Sequence, residues 1–122
     1  CFAGPEEREF NNHAVQANGP LCRGAIITGT ARDKFDYFMF DTGARGPIVI
    51  TVHDHKRPDA QLALFDNRAP GGADPIATDS TQSDGLHIHY SDAPPGRYYV
   101  AIYVESPDPA DNHRYTLEVV FP

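Results

Sequence analysis

Two short groups of oxygen-bearing side chains stand early in the chain: Glu7-Arg8-Glu9-Phe10-Asn11-Asn12, and later Asp33-Lys34-Phe35-Asp36. Glu7, Glu9, Asp33 and Asp36 supply carboxylates, and Asn11 and Asn12 supply neutral amide oxygens. Carboxylates mixed with amides and carbonyls are the ligand chemistry of calcium, which takes about six to eight oxygens. Gathered without a cation, these acids repel one another, so a metal gives a reason for their convergence. No EF-hand pattern is present, so no single loop is a site by itself. The alternative is an arm of ordinary solvated acids.

Other residues offer less. No Gly-x-Ser-x-Gly or His-Glu-x-x-His pattern occurs, and Ser80, Ser83, Ser91 and Ser106 lie in turn-like sequence without an evident base. The chain is therefore not expected to be an enzyme. His87-x-His89 and His53-Asp54-His55 have transition-metal spacing on a strand, but solvent-facing histidines explain them equally. Tyr99 and Tyr103 alternate away from the core side of their strand and are expected to be exposed. Flat aromatic rings there suit an extended extracellular polymer, protein or polysaccharide; packing under a loop is the rival reading.

The elements that must position these groups are short strands. Alternation predicts strands over Ala25–Thr30, Tyr37–Asp41, Pro47–His53, Gln61–Asp66, Leu86–Tyr90, Arg97–Val104 and Arg114–Phe121. Phe38 and Phe40 share one face and anchor the core, with Asp33 and Asp36 expected at the strand entry, gathered but not buried. Asn67–Ala73, the polar run Thr78–Gly85 and the Pro/Asp stretch Ser106–Asn112 read as irregular. Residues 1–19 read as a polar arm with a helical turn near His13–Gln16. Residues 20–122 read as one all-β domain, an antiparallel β-sandwich.

Composition narrows the class. With 122 residues the chain holds one core. A net charge of −7 argues against nucleic acid and suits a cation ligand. No apolar run reaches the roughly 20 residues of a membrane span, and no signal peptide is visible, so an exported protein would have lost it. Cys1 and Cys22 fit no zinc pattern. A disulfide pinning the arm to the first strand is the preferred pairing; a free thiol at Cys22 and a lipid-bearing Cys1 remain alternatives.

The ordered set Glu7–Asn12, Gly24–Thr30, Asp33–Phe40, Gln61–Asp66, Gly96-Arg97-Tyr98-Tyr99-Val100 and Tyr115-Thr116-Leu117 resembles the bacterial pre-peptidase C-terminal domain. It is similar, too, to the collagen-binding domains of clostridial collagenases. The resemblance implies a jelly-roll sandwich with calcium held by Glu7, Glu9, Asn11, Asn12, Asp33, Asp36, the backbone of Tyr37 and the carbonyl of Thr28. Phe10 stands where the family often has proline, and Asn12 replaces a carboxylate. It further implies a secreted, monomeric accessory module of a bacterial hydrolase such as a peptidase, for substrate targeting, stability or removal during maturation, with collagen or another polymer as partner. A carbohydrate-binding module and a free-standing lipoprotein or interaction domain are the alternatives.

Overall fold

The computed structural model describes residues 1–30, 35–53, 60–80, 85–104 and 114–122. Asp33, Asp54, His55, the run 81–84 and the Pro/Asp stretch 105–113 lie outside them.

Eight strands form the body: β1 (Ile26–Thr30), β2 (Phe35–Thr42), β3 (Gly46–His53), β4 (Ala60–Phe65), β5 (Ala77–Asp79), β6 (Gly85–Ala93), β7 (Gly96–Val104) and β8 (Arg114–Val120). They make two antiparallel four-stranded sheets, ordered β1-β8-β3-β6 and β2-β7-β4-β5. That order is the jelly-roll topology. β-branched and aromatic residues alternate with polar ones, so each strand has one face to bury. Phe38, Phe40, Ile50, Leu62, Leu64, Val100 and Leu117 fill the space between the sheets. Each such side chain contributes about 1.5–3 kcal/mol on burial.

Seven of these strands match the alternation read from the sequence to within about two residues at each end, apart from β6, which runs on to Ala93. β5 does not: Ala77–Asp79 lies where irregular chain was expected. An Ala-Thr-Asp triplet carries little β propensity. Its pairing with Leu62, Ala63 and Leu64 of β4 makes it a strand.

The arm departs further from a pendant segment, because it laces both sheets. On β1, Thr28 N–H donates to Pro5 O at 2.6 Å and Glu7 N–H donates to Thr28 O at 2.9 Å. On β2, Tyr37 N–H donates to Asn11 O, Asn18 N–H to Tyr37 O, Met39 N–H to Asn18 O and Leu21 N–H to Met39 O, all at 2.8–3.0 Å. Between these anchors lies the 3-10 turn Ala14–Gln16. The Asn18 side chain clamps the Arg8 peptide, accepting from its N–H at 2.7 Å and donating to its carbonyl at 2.8 Å. The apolar side chains Phe10 and Val15 of the arm are 75% and 77% exposed. Backbone hydrogen bonds hold most of it, with Phe2 packed against the core at its start.

Cys1 and Cys22 form a disulfide with Cα atoms 4.9 Å apart. Both sulfurs are committed, which sets aside a free thiol at Cys22 and a lipid on Cys1. Such a bond persists in oxidising compartments, the periplasm or the cell exterior. Among the described residues no helix is long and apolar enough to cross a membrane.

Asn18→Ala removes the clamp on Arg8 and leaves a peptide group of the arm without its partner. Stability is expected to fall by about 1–3 kcal/mol in urea titration. Amide exchange should rise across the arm first and leave the β3 and β7 amides protected.

Candidate metal site at the seam between the sheets

The acids converge where the arm crosses from β1 to β2. One carboxylate oxygen from each of Glu7, Glu9 and Asp36 lies within 4.8 Å of the others. Glu7 is aimed by backbone: Thr30 N–H donates to its Oε1 at 2.7 Å. Asn11 Nδ2 donates to its Oε2 at 3.2 Å. Glu9 is exposed and reaches in from the arm. Glu6, Glu7, Glu9, Thr28, Gly29, Thr30 and Arg114 line a recess open to solvent beside the cluster. Arg114 is occupied there with Glu6 at 3.0 Å.

Asp36 is not at an unburied strand entry. It lies inside β2, 1% exposed, on the same face as Phe38 and Phe40. The alternation that turns those phenylalanines inward turns Asp36 inward as well. Its Oδ2 accepts from the Tyr115 hydroxyl at 2.8 Å, and that hydroxyl is 3.4 Å from Glu7 Oε2. Burial first, then the charges of Asp36 and Glu7, push the Tyr115 hydroxyl well above its ordinary pKa. The phenol is thus a fixed neutral donor among carboxylates.

Tyr115 is not among the site residues read from the sequence, and its hydroxyl is the group that reading missed. The same reading also missed Gly29, which pairs with Tyr115 across the β1–β8 ladder. A Cβ at residue 29 would collide with the Tyr115 hydroxyl and ring carbon and stand 2.9 Å from Glu7 Oε1. The available signal was a glycine inside the β-branched run Ile26-Ile27-Thr28-Gly29-Thr30, where close approach of another group is the usual reason.

Of the residues named for the site, the structure brings Glu7, Glu9, Asn11 and Asp36 together. Asn11 is fully buried, Asn12 partly, and the side-chain oxygens of both are buried with no hydrogen-bond partner among the described residues. Thr28 and Tyr37 meet the arm through their backbones: each donates its N–H to the arm, and each carbonyl accepts from it. Asp33 lies outside the described residues. The donor chemistry therefore fits a hard cation: three carboxylates converge, and the unpartnered Asn11 oxygen belongs to an amide that is bonded to one of them.

The tyrosines differ from the sequence reading. Tyr99 is only 7% exposed, so its ring is packed rather than offered to a ligand. Its ladder neighbours are Met39 and Phe65, whose side chains crowd the same outer face. Tyr103 is half-buried, its ring centroid 4.8 Å from that of Phe35. Phe35 in turn stacks on Tyr37 at 5.7 Å, and Tyr37 meets Phe65 at 6.2 Å. His87 and His89 are exposed on the outer face of the other sheet.

No family model and no curated protein matches the chain. Solved structures do. The pre-peptidase C-terminal domain of a collagenase from Bacillus anthracis superposes with a TM-score of 0.60 and 19% identity, over 80% of this chain and 88% of that one. PliG from Aeromonas hydrophila, a periplasmic inhibitor of g-type lysozyme, gives 0.59 and 16%, over 97% and 95%. The Yersinia pseudotuberculosis-derived mitogen gives 0.58 and 19%, over 80% and 85%. The likeness to pre-peptidase C-terminal domains thus extends to the fold, and at these identities to the fold alone.

Tyr115 sets a pH dependence. Unfolded tyrosine ionises near pH 10, while the folded hydroxyl holds its proton to higher pH. Below about pH 10 both states are protonated and the contribution is level. Above it the unfolded chain carries fewer protons, so stability falls as pH rises towards the folded value, by up to about 1.4 kcal/mol per unit. Urea titrations from pH 8 to 11 in chelator should show this slope, and Tyr115→Phe should be flatter by that amount.

Proposed function

We propose that the protein is a non-catalytic, calcium-stabilised accessory module of a secreted bacterial hydrolase, in the first place a peptidase, that serves its parent through substrate targeting or stability. The observation that carries this reading is the convergence of Glu7, Glu9 and Asp36, with the buried Asn11 amide hydrogen-bonded to Glu7. Two like charges about 4–5 Å apart repel by about 3–4 kcal/mol even at an effective dielectric near 20. A divalent ion turns that repulsion into attraction. Glu7, Glu9 and Asp36 would hold it, with Asn11, Asn12 and the backbone carbonyls of Thr28 and Tyr37 as neutral donors and Asp33 as a further carboxylate. Bound there, calcium supplies charge neutralisation and a tie between arm and sandwich. A mixed set of carboxylates, amides and carbonyls suits calcium's larger, flexible shell better than magnesium's tight octahedron.

The targeting half of the reading rests on the outer face of β2, β7 and β4. There Tyr103, Phe35, Tyr37 and Phe65 form a contiguous run of half-buried rings. Such a face suits a collagen-like fibre or a polysaccharide. A second reading is inhibition of a secreted hydrolase. It is favoured by the extent of the match to the lysozyme inhibitor, which takes in nearly the whole of both chains.

Calcium at a hundredfold excess over its dissociation constant is expected to add about 2.7 kcal/mol, a rise in melting temperature of roughly 8–12 °C for a domain of this size. Glu9→Gln should melt at or above wild type in chelator, because it removes one of the repelling charges, and lose most of the rise in calcium. Identical melting in chelator and millimolar calcium would end the calcium reading.

Tyr103→Ala should weaken co-sedimentation with insoluble collagen or polysaccharide by roughly thirtyfold, the effect of losing an interface aromatic worth about 2 kcal/mol. Inhibition of a g-type lysozyme by the wild-type protein, with no polymer bound, would select the second reading.

A further inference from the structure

We infer that the Cys1–Cys22 disulfide and the seam site are thermodynamically coupled, so that the redox state of the arm sets its affinity for calcium. The inference rests on the calcium reading above and concerns how that site is controlled.

The disulfide spans 21 positions of sequence, and Glu7, Glu9, Asn11 and Asn12 all lie inside the ring it closes. Asp36, Thr28 and Tyr37 lie outside it on β2 and β1. A cation at the seam therefore joins the ring to the body of the sandwich, and every donor on the ring side depends on the ring being docked. Next to the disulfide, Phe2 N–H donates to Pro20 O at 2.6 Å and Cys22 N–H donates to Phe2 O at 2.9 Å. The ring's closure is thus built into the same backbone lacing that leads to Glu7.

Apolar contact docks the ring only near the disulfide, where Leu21 is buried in the core and Phe2 packs against it. In the stretch that carries the acids, Phe10 and Val15 point to solvent. Backbone hydrogen bonds to β1 and β2 make up most of the remainder, and water competes with these. Opening the disulfide returns conformational freedom to the arm and lowers the population of the docked state. Apparent affinity falls by that same fraction.

Coupling of this kind is reciprocal. Calcium, by favouring the docked ring, holds the two sulfurs in position and makes the disulfide harder to reduce by the same factor. The exchange is that of a dithiol reductant. Its first thiolate attacks one cysteine sulfur, forming a mixed disulfide and expelling the other cysteine as thiolate. Its second thiolate attacks the mixed disulfide, the reductant leaves as a disulfide, and Cys1 and Cys22 end as two thiols carrying the two protons. Cys1 is exposed, so a reductant reaches the bond in the folded protein.

Calorimetric titration with calcium should compare oxidised wild type, wild type kept reduced in a dithiol, and Cys1→Ser/Cys22→Ser. The two open forms are expected to bind between about tenfold and a few hundredfold more weakly, the upper end corresponding to full return of the closure entropy of a loop this long. In a dithiol/disulfide redox buffer, calcium should shift the reduction midpoint of the wild-type bond against chelator by the same factor. Far-UV circular dichroism should show the sandwich intact in both open forms. Equal calcium affinity in oxidised and open forms overturns the coupling and leaves the calcium reading standing. Loss of the whole sandwich on opening also overturns it, since the effect would then be global. No calcium uptake by the oxidised protein overturns the calcium reading and this inference together.

Discussion

The hydrogen bond between Tyr115 and Asp36 is the constraint around which the rest is arranged. Tyr115 belongs to β8 in one sheet, Asp36 to β2 in the other, and the Glu7 carboxylate of the arm stands 3.4 Å from the same hydroxyl. A buried carboxylate is costly unless its oxygens are satisfied, and a phenol that stays neutral satisfies one of them. The bond ties the two sheets at one edge of the sandwich by polar contact, where elsewhere apolar packing does so. It also dictates Gly29, since any larger residue occupies the volume of the Tyr115 ring. Through Glu7 it dictates where the arm must cross.

Open sheet edges invite unwanted pairing, and this fold leaves few. The arm takes hydrogen-bonding positions on β1 and β2, the outer strands of the two sheets on one side. On the other side β5 and β6 come together, with His87 N–H donating to an Asp79 carboxylate oxygen at 2.7 Å. The arm is therefore part of the closure of the sandwich. Because it carries Glu7, Glu9 and Asn11, closing the seam and assembling the acid cluster are one event. That identity of structure and site is why binding, arm order and disulfide are physically linked.

The outer face of the second sheet shows how position along a strand separates packing from recognition. Tyr99 and Tyr103 have the same orientation on β7, yet only Tyr99 is buried. Tyr99 sits between Met39 and Phe65, both long enough to cover it. Tyr103 has Phe35 on one side but the polar Gln61 on the other, and it is only half-buried. The aromatic run of Tyr103, Phe35, Tyr37 and Phe65 crosses three strands, so its makers are far apart in sequence and adjacent only in the sheet.

Local pattern by itself determined the strands and their inward faces. Period-two alternation at Phe38 and Phe40, at Ile48, Ile50 and Val52, and at Leu117, Val119 and Phe121 needs no knowledge of neighbours. The acids of the site were legible as ligand types, because oxygen chemistry is carried by the side chain alone. What they do together was decided by tertiary structure. Asp36 is buried because pairing of Phe35 and Asp36 with Tyr103 and Ile102 of β7 extends β2 back past Tyr37, so that the inward alternation of Phe38 includes it. Tyr115 joins the acids because β8 pairs with β1 opposite Gly29, a contact between residues far apart in the chain. β5 is a strand through β4 rather than through its own propensity. The arm looked detached because its anchors are backbone hydrogen bonds to β1 and β2, and backbone bonds leave no mark on side-chain pattern.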